Sequence, residues 1–394
     1  MKILYLTSPN FFDLEISYIR ELSKLADVRV LLYVAPMNLK SSAFSLDSQL
    51  KKEEIIIATE YPGMEKYDGM IDRKQWFIVN DYTNFSLGSC YRLNKKMIRF
   101  MEAYNPDIVH LVGTGKQKSM LAAMMDGRRK MLLSVHDVIE HGNNESFKIQ
   151  LLYKVRNFVI KKMHNILLYS YISDDILKKQ LNNIPHTIYH STLGAYDFLN
   201  SYPLISNQYG KYVLFFGRID YYKGVDILVE SYLKSNLPKQ GIRLLLAGKD
   251  NVGIVKNMDN ENVIILNRYI ENDELANLIR NSMFAVLPYR TATQSGVTKS
   301  AFALGKPMLC TDAGNLPIEV IDGKYGKIVR ADDSSHLTEG LNWMVSNTDI
   351  LEVYADNIKT DWNEDGQYSW KCIAKDMIAN VYEKIIENNL YGAN

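Results

Sequence analysis

The 394-residue sequence is short of several things, and each scarcity removes a class of function. Charge of one sign is lacking: 46 Lys and Arg against 45 Asp and Glu leave a formal net charge of +1. No global field therefore draws the chain to nucleic acid or to an anionic surface, and any phosphate would have to be held locally. The only cysteines are Cys90, Cys310 and Cys372, far apart and without metal-ligand spacing, which fits buried thiols in a reducing compartment better than a disulfide framework. No stretch approaches the ~20 apolar residues of a membrane-spanning helix, and the opening apolar run is too short for a secretory signal. The expectation is a cytoplasmic protein. No internal repeat, heptad or low-complexity tract is present.

What is present is alternation. Residues 2–6 read as a short apolar strand, 14–25 carry apolar residues at helical spacing, and 28–34 read as a second strand. The alternation continues through a strand at 107–112, a helix at 118–125, a strand at 131–135 and a basic amphipathic helix at 151–163. Repeated βα units predict a parallel sheet covered on both faces. Residues 199–210, with Pro203, Asn207 and Gly210 and little periodicity, predict a linker. A second series then places strands at 212–216, 243–247, 263–266, 284–287 and 307–311. A chain of this length is too long for one core, and the economical architecture is two doubly wound, Rossmann-like α/β domains facing each other across a cleft. Their expected bounds are 1–200 and 211–372.

In open α/β sheets, ligands bind outside the carboxyl ends of the strands, so residues just beyond each strand are the functional candidates. After strand 212–216 come Gly217 and Arg218, with Lys223 five residues further on at a helix start. A planar guanidinium and a compact ammonium can converge on one anion, as a diphosphate leaving group requires when its bond breaks. By residue type alone, cations in a turn are more often simply solvated. The segment Ala292-Thr293-Gln294-Ser295-Gly296-Val297 precedes a helix, and small residues there leave amides open to a phosphate. Ordinary capping by Ser295 or Thr293 accounts for the same residues. His136 and Asp137 end strand 131–135, where a lone histidine is more often structural than functional.

These segments resemble, in order and spacing, the retaining glycosyltransferases of GT-B fold sometimes numbered family 4, or glycosyl transferases group 1. The resemblance takes in Gly217 to Asp226, Leu244 to Gly248, Val263 to Tyr269, Val286 to Arg290, Gly305-Lys306-Pro307, Asp312 to Pro317 and Asp322 to Val329. It is strong over about 210–330 and weaker but consistent before that. It implies that Arg218 and Lys223 hold the diphosphate of a nucleotide-sugar donor together with the loop Gln294-Ser295-Gly296-Val297. The base would rest against Arg268-Tyr269-Ile270, and His136 would face the donor sugar from the first domain. A closing helix at about 373–394 would cross back to that domain. The implied reaction transfers a hexose to a glycan or lipid-linked hydroxyl, as in surface polysaccharide biosynthesis.

Two departures from the family pattern stand out. The paired glutamates that many members carry beside the donor sugar fall here on Ala292 and Ser300, so both carboxylates are missing. Glu319 stands one residue later than the family's glutamate after proline and is given no role. Two rivals follow: a nucleotide-sugar epimerase or hydrolase on the same fold, and a non-catalytic nucleotide-sugar-binding subunit. No metal is expected, because Asp-x-Asp, which holds a divalent cation in many other glycosyltransferases, occurs nowhere in the sequence. The basic stretches 94–100 and 153–163 are compatible with peripheral contact with an anionic membrane, although ordinary amphipathic helices with a solvated basic face account for them somewhat better.

Overall fold

The computed structural model describes residues 1–39, 44–46, 53–81, 86–114, 116–125, 130–136, 147–169, 174, 177–179, 186–256, 258–292 and 295–388. The chain divides into two compact units, Met1–Leu193 with Trp370–Asn394, and Gly194–Ser369.

The first unit is an eight-stranded sheet. Its strands are β1 (Lys2–Thr7), β2 (Asp27–Val34), β3 (Glu54–Ile57), β4 (Trp76–Asn80), β5 (Ile108–Val112), β6 (Met131–Val135), β7 (Asn165–Leu168) and β8 (Thr187–His190), in the order β3-β4-β2-β1-β5-β6-β7-β8. Every pairing is parallel except β3 with β4. The central strands read as mainly apolar runs because both faces are covered, with the buried His110 of β5 and Ser134 of β6 bonded to each other at 2.6 Å. In β1, Ile3 and Tyr5 face one core while Leu4 and Leu6 face the other, as the two-residue period of a strand requires. Helix α1 (Phe12–Leu22) and the C-terminal helix Trp370–Met377 cover the first face through Ile16, Ile19, Leu22, Ile373 and Met377. Helices α2 (Leu87–Tyr104), α3 (Lys116–Met125) and α4 (Phe147–Lys162) cover the second through Leu93, Met97, Leu121 and Ile160. Tyr382, beyond the C-terminal helix, is tied into this unit by hydroxyl contacts with Tyr18 at 2.9 Å and His110 at 2.7 Å.

The second unit is a wholly parallel six-stranded sheet of β9 (Tyr212–Phe216), β10 (Arg243–Ala247), β11 (Val263–Leu266), β12 (Ala285–Leu287), β13 (Met308–Thr311) and β14 (Gly326–Val329), ordered β11-β10-β9-β12-β13-β14. The sequence places the chain's crossing in 199–210, whereas the chain enters the second unit at Gly194. The reason is local hydrogen bonding: Tyr196 N–H donates to Lys299 O, Asn200 to Ala303 O, and Arg280 to Leu199 O and Tyr202 O. Strand order reverses between β1 and β5 in one sheet and between β9 and β12 in the other, so each has its ligand-binding switch point there.

Candidate functional site

At the second switch point, β9 ends in Gly217 and Arg218. Arg218 lies 3.7 Å from Asp220 and donates to the Tyr222 hydroxyl at 3.4 Å, leaving its guanidinium more than half exposed. Asp220 caps the following turn, Tyr221–Lys223, by accepting from Tyr221 N–H at 2.8 Å, and this turns Lys223 back over the sheet. The Lys223 ammonium sits 3.7 Å from the centroid of the buried Tyr289 ring. Burial, with the Arg218 charge adding to it, pushes Lys223 down to about 7. Gly224 follows at φ 65°, where a β-carbon would lie 2.0 Å from Pro288 O, so only glycine lets this turn meet the loop after β12.

That loop is clamped to the same turn. Arg290 donates in a fork to Asp226 at 2.9 and 2.8 Å, to Tyr221 O at 2.7 Å and to Asp332 at 2.9 Å, while its own N–H bonds Tyr222 O. Beyond it begins helix α5, Gly296–Ala303. Gln294 and Thr293, both named from sequence, lie outside the described residues. Ser295 occupies the N-cap position without using its side chain as a cap, so capping does not explain it. Its buried hydroxyl, and that of Tyr289, have no hydrogen-bond partner among the described residues. Burial raises the Tyr289 phenol well above its ordinary value; the nearby Ser295 hydroxyl opposes this, although the two fall short of hydrogen-bond geometry. Val297 lies 3.5 Å from where a β-carbon on Gly217 would be. Segments about 70 residues apart thus converge, bringing together two cations, two unpartnered hydroxyls and a helix N-terminus whose first amides are not side-chain capped. Each is a donor suited to a phosphate.

The other sequence-named residues are placed less centrally. Arg268 and Tyr269 follow the edge strand β11, two strands from β9, and are exposed; Arg268 forks onto Glu274 at 2.7 and 2.6 Å. Ile270 is buried. At the vacant glutamate positions, Ser300 donates to Gly296 O at 3.0 Å and Ala292 packs its backbone against Gly314. Glu319 is buried against Thr298 of α5, which donates to it, and lies 3.8 Å from the buried Lys299. It braces the helix that forms the seat, a role its displaced position in the sequence concealed.

At the first switch point, His136 ends β6 and is 8% exposed. Its ring is stacked between Phe11 at 4.8 Å and Tyr169 at 4.6 Å, with interplanar angles of 21° and 17°. Asp137 lies outside the described residues. Two charged residues that sequence reading missed stand beside it. Glu15 is buried, accepts from the Tyr5 hydroxyl and approaches His136 Nε2 at 3.6 Å; burial raises its carboxyl above the usual range, opposed by His136 and Lys118. Lys118 is buried, donates to Val112 O and is pushed down to about 7 by burial, opposed by the Glu15 charge. Their signal was available. Glu15 shares the apolar stripe Phe12, Ile16, Ile19, Leu22, and Lys118 the stripe Leu121, Ala122, Met125, at helical spacing.

Among the described residues, no group of three or more His, Cys, Asp or Glu is arranged to hold a metal. Asp333 caps helix 334–346 and Asp174 pairs with His190 at 2.7 Å; Asp175 lies outside the described residues. No helix among the described residues is long and apolar enough to cross a membrane.

Comparison with known proteins fits this geometry. Two uncharacterized glycosyltransferases of Methanocaldococcus jannaschii, MJ1178 and MJ1607, are 24% identical over 207 residues and 26% over 183. These stretches cover 52% and 45% of this chain, and 57% and 46% of the relatives, about half the length of each. Among solved structures, sucrose-phosphate synthase from Thermosynechococcus elongatus is 14% identical with a TM-score of 0.67, covering 98% of this chain and 99% of that one. Anabaena HepE in complex with UDP-glucose is 15% identical with a TM-score of 0.64, covering 96% and 98%. A putative UDP-N-acetylglucosamine 2-epimerase from Listeria monocytogenes is 12% identical with a TM-score of 0.62, covering 98% and 97%. Residues 210–347 match the family model described as Glycosyl transferases group 1. The fold is therefore GT-B, two parallel-sheet α/β domains, and its second unit carries the glycosyl transferases group 1 match.

Proposed function

We propose that this protein is a retaining, metal-independent glycosyltransferase that moves a hexose from a nucleotide diphosphate donor to a glycan or glycolipid hydroxyl in polysaccharide or surface-glycan assembly. The observation that carries the reading is the convergence of Arg218, Lys223, Tyr289 and Ser295 at the start of α5. Unpartnered buried hydroxyls beside a lysine driven toward neutrality describe a seat that an anionic group completes. The neighbour whose solved structure contains UDP-glucose supports a nucleotide-sugar ligand.

In this mechanism Arg218 and Lys223 neutralise charge as the bond from sugar to diphosphate breaks, and the amides of Ser295 to Val297 hold the phosphate. These groups supply the positive charge that a divalent ion supplies elsewhere. Arg268, Tyr269 and Ile270 receive the base, and His136 meets a sugar or acceptor hydroxyl. Retention follows from the family resemblance, by attack on the face the leaving group departs from, with the leaving phosphate taking the acceptor's proton. The protein works in the cytoplasm at the inner face of the membrane. This is supported by α4, which exposes Phe158 among Lys154, Lys161 and Lys162.

A thermal-shift panel of nucleotide diphosphates and their sugars tests the seat, since a ligand bound to the folded state raises its apparent stability. Positive ligands are then incubated with and without glycan or lipid acceptors. Conversion of the donor without any acceptor would instead indicate the epimerase or hydrolase reading, and a shift with no chemistry the binding subunit.

A further inference from the structure

The first unit stores a polar arrangement that sugar-diphosphate binding does not use. His136 is held between two aromatic faces, so the ring cannot tilt and can bond only through its edge. Both ring nitrogens lack a hydrogen-bond partner among the described residues, although the side chain is more than nine-tenths buried. A buried imidazole without partners is costly, and such groups persist where a ligand or a small closure completes them. Among the described residues Nε2 has one charged neighbour, Glu15, at 3.6 Å, just beyond a hydrogen bond. Glu15 cannot swing away: the Tyr5 hydroxyl holds one of its oxygens, and α1 keeps it on the stripe that packs onto the sheet.

We propose that Glu15 is a positioning residue that fixes the tautomer of His136, accepting the Nε2 proton so that Nδ1 presents its lone pair to a hydroxyl of the sugar or acceptor. A carboxylate at one edge of an imidazole leaves the opposite nitrogen as a hydrogen-bond acceptor. Lys118, buried at the start of α3 and electrostatically coupled to Glu15, favours the carboxylate form. Tyr5, Tyr18, Tyr169 and Tyr382 complete the titratable surroundings; burial pushes the last three further toward the neutral phenol, and Glu15 adds to the shift. His110 is kept neutral, pushed down to about 3, by burial first and by the His136 and Lys118 charges after it. Glu15 is therefore the sole carboxylate placed on His136 among these groups. The inference rests on the reading of His136 as meeting a hydroxyl, but its structural core does not require turnover.

The experiment uses the full chain labelled with 15N at histidine. At pH 8 the wild type is expected to show His136 as the Nε2–H tautomer, and Glu15→Gln, which conserves shape and the bond from Tyr5, is expected to shift that population measurably. Tyr5→Phe keeps the Glu15 charge but frees the carboxylate, and should give a smaller shift in the same direction. In the transfer assay, Glu15→Gln should lower kcat about tenfold or more with little change in donor KM. Imidazole signals identical in wild type and Glu15→Gln, or a wild-type His136 found as the Nδ1–H tautomer, would overturn the proposal. If the wild type transfers no sugar, the functional reading fails separately, and the tautomer measurement still decides the role of Glu15.

Discussion

If burial and Arg218 hold Lys223 near neutrality, binding of a nucleotide diphosphate must be accompanied by proton uptake. The ammonium stands at about 7, lowered by burial and by Arg218. A phosphate charge at about 4 Å in surroundings of effective dielectric about 20 contributes about 4 kcal/mol, or about three pKa units, enough to return Lys223 to about 10. A ligand that prefers the protonated form loses affinity as pH rises above the free-state value and stops losing it above the bound-state value. Between pH 7 and pH 9 the dissociation constant should therefore weaken about fiftyfold, with about three-quarters of a proton taken up at pH 7.5. Titration calorimetry in two buffers of different ionisation enthalpy measures both quantities. Lys223→Arg, charged throughout this range, serves as the reference that removes the nucleotide's own titration. A dissociation constant that is flat from pH 7 to 9 in the wild type, with no uptake beyond the Arg variant, refutes the reasoning.

Three further outcomes follow from the same site. Arg218→Ala should raise the barrier to transfer by about 2–4 kcal/mol while weakening donor binding less, read as a fall in kcat at near-constant donor KM. Asp226→Asn removes one side of the Arg290 fork; because Asp226 is itself well exposed, urea denaturation should show a loss of only about 1 kcal/mol, with weaker nucleotide binding as the loop after β12 loosens. Transfer should continue at an undiminished rate in a chelator, and activity abolished by chelator and restored by Mg²⁺ or Mn²⁺ would return the diphosphate seat to a metal.

How much of this was legible depends on whether the signal is local. The strands at 212–216, 243–247 and 263–266 appear in the structure at those positions because parallel strands are short apolar runs bounded by turn residues, buried throughout in β9 and partly even at the edge in β11. The antiparallel edge strand β3 and the strand β4 were not read, since β3 is only half-buried and its pairing is decided by tertiary contact rather than by periodicity. In the site, Arg218 was visible because it closely follows a strand, and Lys223 because it stands at the next helix start. Tyr289, whose ring lies beneath Lys223, was visible as the start of a loop following a strand and as a member of a family motif, but its contact with Lys223 is made across two loops. Glu15 and Lys118 were legible in another way: each is a charged residue on an apolar stripe, a signal whose meaning comes only from the structure, which sets Glu15 beside His136 and couples Lys118 to it.

The two switch points share a feature that distinguishes function from packing. Both hold a lysine whose charge the fold suppresses, Lys118 beside Glu15 and Lys223 above Tyr289, each pushed down to about 7. A lysine whose folded-state value lies below its unfolded value of about 10.4 destabilises the fold fully below the folded value, and the penalty fades as pH rises toward the unfolded one. Lys223 is partly solvated, so the penalty is a fraction of what its displacement would give in a dry interior. Replacing it by the apolar, similarly long Met should then stabilise the second unit by about 1–3 kcal/mol at pH 6, with the gain shrinking as pH approaches 10, while nucleotide diphosphate binding is lost. Denaturation of Lys223→Met and wild type at both pH values, beside a thermal shift with the nucleotide, measures the trade. A variant less stable than wild type at pH 6 would mean that the contact of Lys223 with the Tyr289 ring outweighs its desolvation, and that the lysine belongs to the packing of the turn rather than to a seat kept ready for an anion.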